Sequence, residues 1–533
     1  MASAAVSDQT GSLSWRLAPD VAAATQGLVA SGFARLPEGR ALFLHAQRPG
    51  RDWLAEMLRL APVTTAVAPG PQAGPHRAAA FALTWSGLQG LGLSDTVLAS
   101  FARPFREGMF EPDRARRLGD RHRGQWQGTA SPDGPAWSGN PVKPPVIHAP
   151  RPYDVQFADD PDEVARTPLT IHALLLLYAE TDADADAWAA ELRAALAPFG
   201  VTAAHTLELE LDVQERDRAA QISRDHFGFA DGLSQPIPFD AHAVLPGLGY
   251  TPDAMRVHGV PLGEILLGFS NAYGEVPPGP VTPQEGERTA MLPAHPEAQG
   301  FADLGKHGSY LVVRELHQDV AAFWASMEEA ATQLRQADPA QASRFTAGWL
   351  AERVVGRSLD GDLLCPAGLR ERPGGSARPD NDFLFFKDDP HGLGCPLGSH
   401  VRRANPRDGL APAADEAQTL LAAANNHRIL RRGRKYGPST TQQPGAARRG
   451  LLFMCLNTDI ARQFEFVQQT WLLNADFAGL RNERDPLVGP AGRMSVQAEP
   501  FRHMLHVETF VRLAGGEYFF LPGVHALEHL ARP

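Results

Sequence analysis

The stretch HFGFADGLSQP, His226 to Pro236, sets a single carboxylate, Asp231, among small residues, glycines and aromatics. Two chemistries suit that pattern. In a turn, the aspartate caps neighbouring amides while Gly228 and Gly232 take conformations closed to other residues. In an apolar, aromatic-lined pocket, desolvation raises the pKa of the same carboxyl and lets it pass a proton near neutral pH. Taken alone the stretch reads first as a turn, so the proton-transfer reading depends on partners elsewhere in the chain.

Three segments offer such partners. His400 lies in GCPLGSHVRRANPRD, with Arg402, Arg403 and Arg407 in the seven positions after it. No second ligand beside it has the spacing of a zinc site. One axial nitrogen is what a haem iron asks of a protein, because the porphyrin supplies the other four, and arginines suit its two propionates. The bland alternative is a structural histidine, one of nineteen, in a solvated or salt-bridged loop. In ILRRGRKYGP, strand alternation points Arg431 to the face opposite Leu430 and Arg432. Buried there, it needs an anion or a group that develops negative charge; a surface salt bridge is the alternative. In GLLFMCLN, Leu451 and Phe453 share a strand face. That is plain core unless a haem lies beside it, where the two form a dry wall.

The whole chain limits what these residues can belong to. With 533 residues, 43% hydrophobic and 21% charged, it can bury one large core or two moderate ones. A formal charge of −11 disfavours nonspecific nucleic-acid binding. Three scattered cysteines, Cys365, Cys395 and Cys455, make neither a disulfide framework nor a zinc site, and fit a reducing compartment. The first residues lack a basic region followed by an apolar run, and no later apolar run approaches the roughly 20 residues that span a bilayer. A cytoplasmic protein without membrane partners is the expectation.

The elements that must position these residues follow from apolar spacing. ALFLHA (41–46) predicts a strand, RDWLAEMLRL a helix and RAAAFALTW a strand. After a Pro/Gly/Arg-rich insertion, roughly 100–168, TIHALLLLYAE, DADAWAAELRAALAPFG and VTAAHTLELELD predict strand, helix and strand. Two βαβ units give a split antiparallel sheet with helices on one face, the ferredoxin-like arrangement. A second set follows: strands at EILLGF, GSYLVVREL, HRILRRGRKYG and RGLLFMCLN, with helices at DVAAFWASMEEAATQL, QASRFTAGWLAERVVG and DIARQFEFVQQTWLL. The weakly periodic region 365–411 is too long for an idle loop.

In the same order, from about Ala41 to the final GGEYFFLPGVHAL, these segments resemble the dye-decolorising peroxidases, haem enzymes of the dimeric α/β-barrel superfamily. The resemblance implies an α+β fold of two ferredoxin-like halves, 1–235 ending in the Asp231 loop and 236–533 holding the haem. GFADG is similar to the family's GxxDG motif, which implies Asp231 as the acid–base residue on a loop shaped by Gly228 and Gly232. GSHVRRANPR implies His400 as the axial iron ligand and Arg407 as the arginine meeting a propionate. Counting back from Gly437 selects Arg431 as the distal arginine, and Leu451 and Phe453 match the distal wall. Asp485 in NERDPLVG is the implied carboxylate that orients His400, with Asp476 in reserve. Ala230 and the pair Arg434–Lys435 depart from the family pattern. The implied cofactor is one haem b per chain. The implied substrates are hydrogen peroxide and dyes, phenols or other one-electron donors, reacting at the haem edge or through relays such as Tyr436 and Trp471. A haem-handling protein with incidental peroxidase activity and a cofactor-free binding protein are the rival readings. The physiological reductant and the choice between monomer and homo-oligomer are not legible.

Overall fold

Nine strands share one antiparallel sheet: β1 (Glu38–Ala46), β2 (Arg77–Leu83), β3 (Ala173–Ala179), β4 (Val201–Glu210), β5 (Ser309–Gln318), β6 (Leu430–Arg431), β7 (Arg434–Tyr436), β8 (Gly450–Asn457) and β9 (Val511–Leu521). The computed structural model describes residues 17–67, 76–122, 125–126, 134–140, 169–213, 217, 222–240, 251–372, 376–439 and 448–532. The strand order is β5-β9-β2-β3-β1-β4-β7-β8-β6, and β8 also pairs with β5, so the sheet closes into a barrel. Closure removes the free edges that an open sheet would expose.

Each half repeats one pattern. The first runs β2-β3-β1-β4 and the second β9-β5-β8 followed by β7 and β6, which together act as one interrupted strand along β8. The two halves meet through Leu83 opposite Phe520 and through Lys435 and Tyr436 opposite Glu210 and Leu209. This is the α+β arrangement of two ferredoxin-like halves that the apolar spacing predicts.

Side-chain alternation sorts the strands into two apolar clusters. Ala41, Phe43, Leu174, Leu176, Leu311, Val313, Leu452, Met454 and Phe519 belong to one, which fills the barrel. Their neighbours Leu42, Leu44, Phe81, Leu175 and Leu177 belong to the other. There they meet Trp53, Leu54 and Met57 of α1 (Asp52–Leu60) and Trp188 and Leu192 of α2 (Asp182–Leu196). With both faces covered, β3 is buried at every position, which explains its unbroken apolar run ALLLLYA.

The second half carries α3 (Val320–Ala337), α4 (Ala347–Val355), the short α5 (His400–Ala404) and two π-type turns, Ala461–Glu465 and Val467–Leu472. The predicted helix QASRFTAGWLAERVVG is shorter than its pattern. A 3-10 segment, Pro339–Arg344, precedes it, and Thr346 caps α4 by accepting from the Trp349 amide at 3.1 Å. EILLGF is not a strand. Leu262–Glu264 forms a 3-10 turn, and Ile265 and Leu266 join the barrel-filling cluster. Glu264, fully buried, ties this plug to Arg462 at 2.7 Å and to the Ala272 amide at 2.9 Å. An apolar run buried as a plug has no period that distinguishes it from a strand.

Within the predicted insertion at 100–168, Arg103–Glu107 and Pro112–Arg117 are helical. Residues 123–124, 127–133 and 141–168 lie outside the described residues, as do residues 1–16. Among the described residues, no helix is long and apolar enough to cross a membrane.

Candidate functional site

The outer face of the second half is not sealed by its helices. Arg314 and Leu316 of β5, Arg431 of β6, Leu451 and Phe453 of β8 and Val511 of β9 face a cavity of about 400 Å³. Val355 of α4, His400, Val401 and Ala404 of α5, and Phe464, Val467 and Leu472 of the π-type turns line its other wall. Strand alternation produces the sheet wall as expected: Leu451 and Phe453 are partly open while Gly450 and Leu452 are buried. Leu430 packs inside the barrel, which turns Arg431 outward.

Asp231 pairs through a two-residue strand, Ala230–Asp231, with Ser223–Arg224. Gly228 and Gly232 hold φ of 98° and 73°, left-handed values that glycine adopts without strain. The Asp231 Oδ1 accepts from the Gly232 amide at 2.6 Å and stands 3.6 Å from Nη1 of Arg431. The turn and the carboxylate–arginine pair therefore coexist. The Asp231 side chain is 38% exposed and that of Arg431 35%, so the pair opens to the cavity instead of sitting in a sealed apolar pocket. Gln235 fixes the strand beneath it, its Oε1 accepting from the Arg431 amide at 3.0 Å.

Two residues that shape this loop carry no motif of their own. Arg224, 3% exposed, donates to the carbonyls of Gly228 at 2.9 Å and Leu359 at 2.6 Å while paired with Asp217 and Asp360. Asp225 accepts from the Phe229 amide at 2.9 Å and lines the cavity. Burial, with the charge of Asp231 adding, pushes its carboxyl up to about 7. Their only sequence signal is adjacency to the glycine-rich stretch.

On the helical wall, His400 is the first residue of α5, and its Nδ1 lies 3.0 Å from Oδ2 of Asp485. Asp485 is fully buried and accepts from the amides of Leu487 and Val488 at 3.0 and 2.9 Å. Burial alone would raise its carboxyl, but the imidazole of His400 and the Val488 amide hold it below the usual carboxylate range. A carboxylate on Nδ1 fixes the proton there and leaves Nε2 as a free lone pair, the arrangement found behind metal-bound imidazoles. Asp476, the reserve candidate, makes no such contact.

The arginines after His400 all meet backbone carbonyls. Arg402 donates to the Cys395 carbonyl at 3.0 Å, and Arg403 to the carbonyls of Trp471, Asn474 and Glu483 at 2.9, 3.0 and 2.7 Å. Both are buried and tie α5 to the Cys395 loop and to the 471–483 segment, satisfying backbone carbonyls there. Arg407 reaches the cavity, yet it donates to the carbonyls of Asn381 and Phe383 at 2.7 and 2.5 Å and to Asn381 Oδ1 at 3.0 Å. Tyr436 packs inside the barrel, 3% exposed, and Trp471 packs edge-on against His427 and Phe466. Among the described residues, eight arginines but only two aspartates, Asp225 and Asp231, line the cavity, so its walls suit a ligand bearing negative charge.

Comparison with known proteins adds likenesses in sequence and fold. The chain is 26% identical over 399 residues to a dye-decolorizing peroxidase of Mycena epipterygia, covering 68% of this chain and 66% of that one. It is 30% identical over 334 residues to the multifunctional dye peroxidase DyP2 of an Amycolatopsis species, covering 57% and 61%. A DyP-type peroxidase of Anabaena superposes with a TM-score of 0.67 and 22% identity, over 96% of this chain and 95% of that one. In sequence and in fold the chain is similar to the dye-decolorising peroxidases. No protein-family model matches it, and the aligned region spans somewhat under two thirds of these curated relatives' length. Within the dye-decolorising peroxidase fold, the barrel thus brings His400, Asp485, Asp231, Arg431, Leu451 and Phe453 together around one cavity.

Proposed function

We propose that the protein is a haem peroxidase that reduces hydrogen peroxide and oxidises dyes, phenols or other aromatic one-electron donors. The observation that carries this reading is the His400–Asp485 contact on one wall of a cavity whose other wall holds Asp231 and Arg431 within 3.6 Å of each other. The residues present fit a haem. A carboxylate-backed imidazole offers one axial nitrogen, an arginine-rich lining suits propionates, and Leu451, Phe453, Val401 and Val467 offer apolar faces to a macrocycle. None of the three cysteines lines the cavity, which favours non-covalent haem b over a thioether-linked form.

When bound, the haem iron supplies the centre at which the peroxide O–O bond is cleaved and from which electrons are drawn. His400 would hold that iron through Nε2, and Asp485 would make the imidazole a stronger donor by accepting a hydrogen bond from its Nδ1–H. Asp231, open to the cavity, accepts the peroxide proton from one oxygen and returns it to the other. Arg431 aims its fork of N–H donors into the same space, where negative charge develops as the O–O bond lengthens. Leu451 and Phe453 limit water beside the pair. Donors too large for the cavity would be oxidised from outside it.

A haem-handling protein would need His400 and a carboxylate contact but gains nothing from the Asp231–Arg431 pair, so the pair favours turnover over storage. The deciding experiment is the absorption spectrum of protein prepared with haem supplied. A Soret band, a b-type pyridine adduct and peroxide-dependent dye bleaching are expected. A colourless preparation refutes the reading, and a coloured one that releases haem but does not turn over peroxide favours haem handling.

A further inference from the structure

Among the arginines around the cavity, Arg428 stands apart. It is 6% exposed, its backbone is fixed by its amide to Asn425 at 3.2 Å and by Gln463 on its carbonyl at 2.7 Å, and its side chain lines the cavity. Its Nη1 is buried without a hydrogen-bond partner, and among the described residues no carboxylate or carbonyl meets its guanidinium. Burial lowers its pKa to about 10, and the charged group it feels is another cation, Arg431. A desolvated guanidinium with no counter-ion and like-charged neighbours is costly to fold, and such a group is tolerated where a ligand brings the missing anion.

The neighbouring arginines are engaged. Arg407 has three of its five N–H groups on Asn381 and Phe383 and stacks 3.7 Å above the Phe383 ring. Arg357 donates to the Gly361 carbonyl at 2.7 Å and to the same Asn381 Oδ1 at 2.9 Å. Arg314 is held by Asp120 through both terminal nitrogens. We propose that Arg428 receives a carboxylate of the bound porphyrin, the role that family resemblance gives to Arg407, and that Arg407 instead braces the Asn381–Phe383 segment beneath it. This inference rests on the haem reading above and names the residue through which the cavity distinguishes a porphyrin with free carboxylates from one without.

The test uses the full chain with iron protoporphyrin IX and with its dimethyl ester. Affinity is read by Soret titration and release by transfer to an excess of apoglobin. The unmodified protein is expected to hold the free acid at least about tenfold more tightly than the diester, the scale of a hydrogen bond to a charged group. Arg428→Gln should remove most of that preference by speeding release of the free acid while leaving the diester unchanged. Arg428→Lys, which keeps the charge but loses the fork, should retain part of it. The cofactor-free form of Arg428→Gln should melt no lower than the unmodified protein, since it loses an uncompensated buried charge. An unchanged preference in Arg428→Gln overturns the proposal, as does a drop in the melting temperature of its cofactor-free form. Loss of the preference in Arg407→Gln with Arg428→Gln unaffected returns the role to Arg407. If the unmodified protein binds neither porphyrin, the haem reading itself falls, an outcome distinct from all of these.

Discussion

The two halves of the barrel repeat one strand order and use their outer faces in opposite ways. In the first half, Leu42, Phe81, Leu175 and Leu177 are covered by Trp53, Met57, Trp188 and Leu192, and the sheet–helix seam is closed. In the second, the corresponding seam is a cavity, with Arg314, Arg431, Leu451 and Phe453 on the sheet side and His400, Val467 and Leu472 on the helical side. A fold that spends one seam on stability can leave the other open, because the closed barrel and the sealed half supply the rigid wall that a site requires. Arginines bound to backbone carbonyls, Arg402 and Arg403 among them, then hold the irregular segment that presents His400.

The largest effect that separates the halves is expected from His400→Ala. It should abolish the Soret band of the haem-loaded protein while leaving the barrel folded, as read by absorption and circular dichroism; an unaltered spectrum removes His400 as the ligand. Next come Asp231→Asn and Arg431→Leu, each expected to slow the reaction with peroxide by about 10²–10³-fold in stopped-flow mixing. Wild-type rates in both would show that the open seam does not carry the chemistry.

Leu175→Ala, in the sealed seam, should cost about 2–5 kcal/mol in denaturant unfolding and leave the peroxide reaction of the folded protein near normal. Leu451→Ala, on the open wall, should show the reverse: a stability loss below about 1 kcal/mol, because its side chain is already partly exposed, with an altered reaction rate. Equal stability losses in the two variants would erase the contrast between the seams.

The smallest and most distributed effect is that of pH. Burial holds His172, His226, His258 and His307 down to about 4. Their unfolded forms take up protons near 6.5, so their contribution is intact above that value and is lost as pH falls toward 4. Asp225 runs the other way. Its carboxyl, pushed up to about 7, favours the folded state most at low pH and loses that contribution as pH rises from about 4 to 7. Asp225→Asn should therefore steepen the acid-side decline in melting temperature; a flatter profile would contradict the assignment.

Much of the architecture was legible in the chain. Strands β1 to β4 with helices α1 and α2 follow from apolar period alone, because a closed barrel with covered faces writes long apolar runs into its strands. The outward turn of Arg431 and the shared face of Leu451 and Phe453 follow from the two-residue repeat. EILLGF was misread because a buried plug and a buried strand carry the same composition. The engagement of Arg402 and Arg403 was hidden for a related reason: a sequence shows that arginines cluster, not that nearby carbonyls already occupy them.

The sequence by itself determined which residue types were available, the order of the motifs and the family they resemble, since periodicity and local turn chemistry are properties of contiguous residues. Only the tertiary structure decided that Asp485 and not Asp476 meets His400, that Arg224 clamps the Asp231 loop, and that Arg428 is left without a partner. Each of these depends on contacts between segments far apart in the chain, and whether a charge is satisfied is set by everything folded around it.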